Sequence, residues 1–169
     1  MAHKPLQLVN GKITQVEATV VSAGAGDAGE IVALDSSGKI DVSVLPTGLG
    51  PNVKLVLASE NIGAGKYVNI FDNTGTANVR LADNSNSREA HGFLLDAVTS
   101  GNNATVYFEG TNNDLSGLTS GARQFLGTAG GVTSTPPTFA GGATISQLVG
   151  TAISATEIDT DIDDIVVLA

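Results

Sequence analysis

The chain has no cysteine, which excludes both a disulfide framework and a thiolate zinc site. It has no tryptophan, and aromatic residues make up only 4% of it. A core built from this composition leans on aliphatic and β-branched side chains, with each aromatic carrying a large share. Charge is scarce too: 15% of residues are charged, against about 25% in a typical soluble protein. What charge exists is one-sided, with a formal net charge of −9 and a pI near 4.4. The basic residues are scattered and none lies beyond Arg123. That argues against nucleic acid as a partner, because phosphates demand clustered cations. Apolar runs such as the terminal "IVVLA" are far too short to span a bilayer, and "MAHKPLQLVNGK" lacks the apolar segment of a signal peptide. These absences predict a soluble product, made in a cytoplasm, with no membrane partner.

Glycine is abundant, at 21 of 169 residues. Gly24, Gly26 and Gly29 in "VVSAGAGDAGEIVALD" follow the order G-x-G-x-x-G. A dinucleotide site needs a strand before these glycines and a helix after them, so that free N–H groups meet the pyrophosphate. "ITQVEATVV" supplies a candidate strand, with Val16, Ala18 and Val20 on one face. Downstream, "EIVALDSSGKIDVSVLP" is β-branched and broken by "SSG" and Pro46. It reads as a strand, a turn and a second extended piece. The glycines therefore mark a loop, and no cofactor is expected.

Residues 1–50 differ from the rest. They hold short apolar pieces between polar or glycine-rich joints, contain no aromatic residue, and end at the hinge-like "LPTGLGP". They read either as an extended arm reaching a neighbouring molecule or as a pair of edge hairpins on the same domain. From Val53 onward, strand-like segments alternate with turns such as "DNTGT", "DNSNS" and "TSGNN". Short strands at that spacing predict an all-β fold, an antiparallel β-sandwich or barrel, over 51–169. All five Phe and both Tyr lie there. In "ATVYFEG", alternation places Val106 and Phe108 inside, and Tyr107 at the opposite surface or a subunit contact.

Candidate chemistry is thin. "NIGAGKY" offers Gly65-Lys66, but Glu60 and Tyr67 stand where a phosphate loop needs glycine and a hydroxyl. Asp159, Asp161 and Asp163 match the first three ligand positions of a calcium loop, but Asp164 occupies the obligatory glycine position. Ile158, Thr160 and Ile162 alternate with these acids, which fits a strand or turn with one wet face better. A loose calcium site across subunits is the sharper alternative. His91, the only histidine outside the N-terminal stretch that holds His3, has Glu89 two residues away but no partner histidine for a metal site and no serine elbow. It reads as a hydrogen-bonded structural residue, and the chain as no enzyme.

Three stretches carry a resemblance: "ASENIGAGKYVNIFD", then "REAHGFLLDAVTSGNNATVYFEGTNNDLSGLTSGARQFLGTAGGVTSTPP", then "SQLVGTAISATEIDTDI". In order and spacing they resemble a module of tailed-bacteriophage structural proteins, over roughly residues 53–168. "IVALDSSGKIDVSVLPTG" resembles the segments that join phage fibre modules. The resemblance implies a virion component of β-sandwich or barrel type, commonly trimeric. Such modules serve as capsid decoration (cement) proteins or as parts of head and tail fibres.

The expected role is a decoration protein on the outside of the head, made in the host bacterial cytoplasm, with the major capsid protein and its own copies as partners. A head- or tail-fibre adhesin for host polysaccharide is the alternative. Expected interface positions are Ile13, Val20, Ile31 and Leu45 in the N-terminal segment, and Val166 and Leu168 in the final strand. That strand is apolar on both faces and so needs cover on both.

Overall fold

The computed structural model describes residues 6–45 and 51–169. Residues 46–50 of the hinge-like "LPTGLGP", including Pro46, Gly48 and Gly50, lie outside the described residues. The chain divides into two compact units, Met1–Gly50 and Pro51–Ala169. Among the described residues there is no α-helix.

The first unit opens with a hairpin of β1 (Leu6–Val9) and β2 (Lys12–Gln15), paired antiparallel. Its two-residue turn is Asn10-Gly11, with φ of 52° and 75°. Positive φ at both central positions is the I′ geometry that matches strand twist, and Asn-Gly is the pair that best tolerates it. Beyond Gln15, Thr19 makes a single parallel bridge with Val32.

The glycine-rich loop between them contains a three-residue 3-10 turn, Ala25–Asp27. Asp27 Oδ2 accepts the Ala23 N–H at 2.5 Å and Ser22 Oγ accepts the Gly24 N–H at 3.1 Å. The "DSSGK" turn closes on Asp35, whose Oδ1 accepts the N–H groups of Ser37 and Lys39. The second extended piece expected after it is instead a 3-10 turn, Val42–Val44. Asp41 bends it by accepting the Ser43 N–H at 2.9 Å, an Asx turn that outcompetes the strand.

The second unit is built on a closed five-stranded barrel. Its strands are β3 (Val53–Ala58), β4 (Tyr67–Asn73), β5 (Thr76–Leu81), β6 (Gly92–Phe93) and β7 (Asn103–Tyr107). The pairs are antiparallel except β3–β5, which is parallel and completes the ring. A five-stranded sheet follows in the order β10-β9-β12-β13-β8. It comprises β8 (Gly110–Asn112), β9 (Arg123–Leu126), β10 (Val132–Thr133), β12 (Leu148–Ala152) and β13 (Ile158–Thr160). Two short strands, β11 (Ile145–Ser146) and β14 (Val166–Val167), pair antiparallel. Barrel and sheet together satisfy the all-β expectation.

Strand alternation sends side chains into two cores. Val56, Ala58, Val68, Val79, Ala104 and Val106 point into the barrel with Ile62 and Leu94. Tyr67, Phe93, Leu126, Ile145 and Val149 form a second cluster with Ala82 and Ala90. Tyr67 and Phe93 are the largest fully buried side chains. This corrects the expectation for β7. Tyr107 is half-buried rather than fully at the surface, packed against the second cluster with its ring stacked on Phe93 at 5.6 Å. Phe108 is only partly buried, against the barrel core. The physical reason is that the barrel wall is covered on its outer side, so both faces of β7 find apolar neighbours.

Two glycines are explained by close approach. A side chain at Gly65 would collide with the Asp114 carbonyl, and one at Gly150 with the Asp159 carbonyl. Gly65, next to Lys66 in the phosphate-loop-like stretch, therefore has a packing role.

Candidate interaction surfaces

The hairpin register puts Leu8 opposite Ile13 and Leu6 opposite Gln15, so these four share one face. Gln7, Thr14, Val9 and Lys12 form the other. One face is thus apolar over three of its four positions, and it is open to solvent: Leu6 is 70% exposed, Leu8 70% and Ile13 76%. No described side chain of residues 6–45 is buried. Ile31 and Leu45 are also exposed, while Val20 is half-buried. A two-stranded hairpin is marginal in water, and large exposed apolar patches mark contact surfaces.

In the second unit, Val53, Leu55 and Leu57 form an exposed row on the outside of β3. In β14, Val166 is 62% exposed and Val167 more so. Leu168 is half-buried, and its N–H donates to the Thr144 carbonyl at 2.9 Å. Ile165 packs against the second core. The final strand is therefore covered at Ile165 and in part at Leu168 but open at both Val166 and Val167, so within one chain it is not covered on both faces.

His91 joins a polar network on the barrel. Its Nδ1 accepts the Ile70 N–H at 2.9 Å, which leaves Nε2 to donate to Glu89 Oε1 at 3.2 Å. Asn69 Nδ2 donates to the Glu89 carbonyl, and Asn69 Oδ1 accepts from Arg80 Nε, both at 2.9 Å. Arg80 lies over the Phe71 ring at 4.3 Å, a favourable cation–π contact. Burial lowers the Arg80 pKa, and neighbouring Arg88 adds to the effect. Both ring nitrogens of His91 are occupied: Nδ1 pins β4 to the 89–91 segment, and Nε2 bonds Glu89 within that segment.

The acidic tail is split by β13. Asp159 is exposed while Ile158 and Thr160 flank it inside, the one-wet-face arrangement expected from alternation. Among the described residues, no three His, Cys, Asp or Glu side chains cluster as a metal would require.

Phe139 departs from the expectation that the few aromatics carry the core. It stands 61% exposed on a 3-10 turn, Phe139–Gly141. Thr138 caps that turn by accepting the Gly141 N–H at 3.2 Å, and Gly142 ends it in the left-handed conformation. Tyr67 and Phe93 are buried and the other four aromatics are half-buried, so Phe139 alone among the seven is solvent-facing. The same turn walls a groove of ≈ 320 Å³.

No protein-family model matches the chain, and no curated protein matches it. Among solved structures, it is similar to the head fiber gp8.5 N base in bacteriophage phi29, at 13% identity and a TM-score of 0.43, covering 66% of this chain and 92% of that one.

Proposed function

We propose that this protein is a bacteriophage virion component that decorates the outside of the head. In this reading the first unit clamps neighbouring major-capsid subunits, and the second unit assembles with its own copies as a trimer. The open apolar face of the β1–β2 hairpin carries the proposal. Leu6, Leu8 and Ile13 are exposed together on the hairpin, in a unit with no buried side chain among its described residues. Burying such residues against a partner contributes roughly 1.5–3 kcal/mol each. Three copies on one trimer multiply that gain through effective concentration. The sequence resemblance to phage structural modules supplies the partner class. Bridging contacts of this kind oppose the outward pressure of packaged DNA, which pulls capsomers apart.

The test is co-sedimentation with purified DNA-filled heads. The full chain is expected to bind to a fixed stoichiometry and a chain of residues 51–169 to lose binding. Equal binding by both, or binding to neither filled nor expanded heads, would overturn the clamp.

A further inference from the structure

We infer that Asn10 is a self-modification site: its side-chain amide is lost through a succinimide formed with the Gly11 nitrogen, and the modified turn opens the β1–β2 hairpin. Asn10-Gly11 is the single Asn-Gly pair in the chain. Glycine has no β-carbon to shield its nitrogen, and asparagine is among the thermally labile residues. Asn10 is exposed, and nothing stands within 4 Å of where a Gly11 side chain would begin. Among the described residues, no hydrogen bond holds the Asn10 amide or the Gly11 N–H. Asn86 is exposed too, but it precedes Ser87, whose N–H is engaged by Thr144 Oγ1 at 3.0 Å.

The hairpin leaves the turn free to react. β1 and β2 form a sheet of two strands with no third, and such a hairpin is marginal in water. In the closed turn Asn10 and Gly11 sit at φ 52° and 75°. Fraying releases Asn10 to bring its Cγ onto the Gly11 nitrogen. That nitrogen gives its proton to solvent base and attacks Cγ. The new N–Cγ bond closes the succinimide ring, the Cγ–Nδ2 bond breaks, and Nδ2 leaves as ammonia with a proton taken from solvent. Water then adds to one of the two ring carbonyls. Cleavage between Cγ and the Gly11 nitrogen leaves aspartate, while cleavage at the main-chain carbonyl carbon leaves isoaspartate. In both cases the Gly11 nitrogen regains a proton, and nothing is oxidised or reduced.

The product changes the element that carries it. Isoaspartate routes the main chain through its β-carbon, which adds a backbone atom to a turn built for two residues between Val9 and Lys12. The I′ match to strand twist is lost, and Leu8 and Ile13, directly opposite in the unmodified chain, move apart. Either product also adds a negative charge to a chain already at −9. This chemistry stands without head binding, so its test reads the turn alone.

The experiment is incubation of the full chain in warm, mildly alkaline buffer, followed by trypsin digestion and mass spectrometry against an unincubated control. The peptide ending at Lys12 has Asn10 as its one asparagine. It should convert faster than every other asparagine-containing peptide, with isoaspartate the larger product. Asn10→Gln should lose most of the conversion, since its longer side chain closes a less favourable ring. Gly11→Ala should lose most of it too. Alanine strains the turn at φ 75° and frays the hairpin further, so slower conversion there isolates shielding by the β-carbon. NMR of the purified isoaspartyl chain should lose the Leu8–Ile13 cross-strand contact and leave the signals of the second unit in place. Conversion no faster at Asn10 than elsewhere, parent-rate conversion in Gly11→Ala, aspartate without isoaspartate, or an intact Leu8–Ile13 contact in the isoaspartyl chain would each overturn the inference.

Discussion

The Tyr67 hydroxyl of β4 lies 3.1 Å from Thr160 Oγ1 of β13. This buried bond joins residues 93 positions apart and ties the barrel to the five-stranded sheet. Removing the hydroxyl in Tyr67→Phe keeps the ring in the second core and leaves the Thr160 hydroxyl without its partner. The expected cost is about 1–3 kcal/mol, read as a lower urea midpoint with an unchanged m-value.

The same group makes stability fall in alkali. Burial raises the Tyr67 pKa above its ordinary 10.0, with the hydrogen bond from Thr160 working the other way. Past pH 10.0 the unfolded chain gives up this proton first, while the folded chain still holds it. Its contribution is complete below that pH and lost as the pH rises through the folded value. The Tm of the parent chain should drop above pH 10, and Tyr67→Phe should drop less steeply.

Phe93→Ala and Phe108→Ala should separate. Phe93 is fully buried between Tyr67 and Tyr107, and its truncation is expected to cost about 3–5 kcal/mol. Phe108 is only partly buried, so its truncation should cost clearly less. Denaturant melts of the two variants, side by side, measure the difference. Equal losses would mean that Phe108 carries a core role its exposure conceals.

For the hairpin, Leu8→Asp with Ile13→Asp should abolish head binding while leaving the melt of the second unit where it was. Both side chains are exposed and directly opposite, so two like charges there also weaken the hairpin itself. Leu8→Ser with Ile13→Ser separates these effects, because it removes apolar surface without adding charge and should also reduce binding. Head-binding assays of both variants, alongside circular-dichroism melts, read this out.

Val166→Asp with Leu168→Asp tests self-association. Val166 is solvent-facing within one chain, so its substitution alone should be nearly silent in a monomer. At a subunit interface, buried and unpaired charge is expensive. If the proposed trimer forms through this strand, light scattering should report its loss for the double variant and for Val166→Asp alone. An intact trimer with Val166→Asp would place assembly elsewhere, with the exposed row of Val53, Leu55 and Leu57 the next surface to change.

The strands that sequence revealed are runs of β-branched, aliphatic and aromatic residues between turns, such as "VKLVLA" in β3 and "YVNIFD" in β4. Which face goes inside was not legible: in β3 Val56 and Ala58 are buried while Leu55 and Leu57 are not, although the one charge, Lys54, stands on the face of Val56 and Ala58. By contrast, β8 holds Gly, Thr and Asn, of which only Thr favours a strand. It forms because β13 offers it a ladder, from Ile158↔Asn112 to Thr160↔Gly110. The Asn10-Gly11 pair is a short-range hairpin signal of the strongest kind, but the reading above passed over it, and the hairpin emerged only from the structure. The apolar face beside it needed the register before it became visible. Tyr107 shows the limit of alternation, which assigns a residue to a face but does not say whether that face is covered. The groove walled by Thr138 and Gly141 joins segments around residues 84, 128 and 135, whose proximity depends on tertiary packing.

The pairing of β3 with β7 also sets a timetable. Val53 meets Tyr107 and Leu57 meets Asn103, so the first barrel strand to be synthesised waits for the last. At ~5–20 residues per second, that interval is a matter of roughly 3–10 s, during which β3 has no antiparallel neighbour. Its apolar row is then a sticky edge on a nascent chain, and crowded expression would favour mispairing between chains before any folded barrel exists. Slower initiation or lower temperature should raise soluble yield by keeping unfinished barrels apart, without altering the stability of those that close.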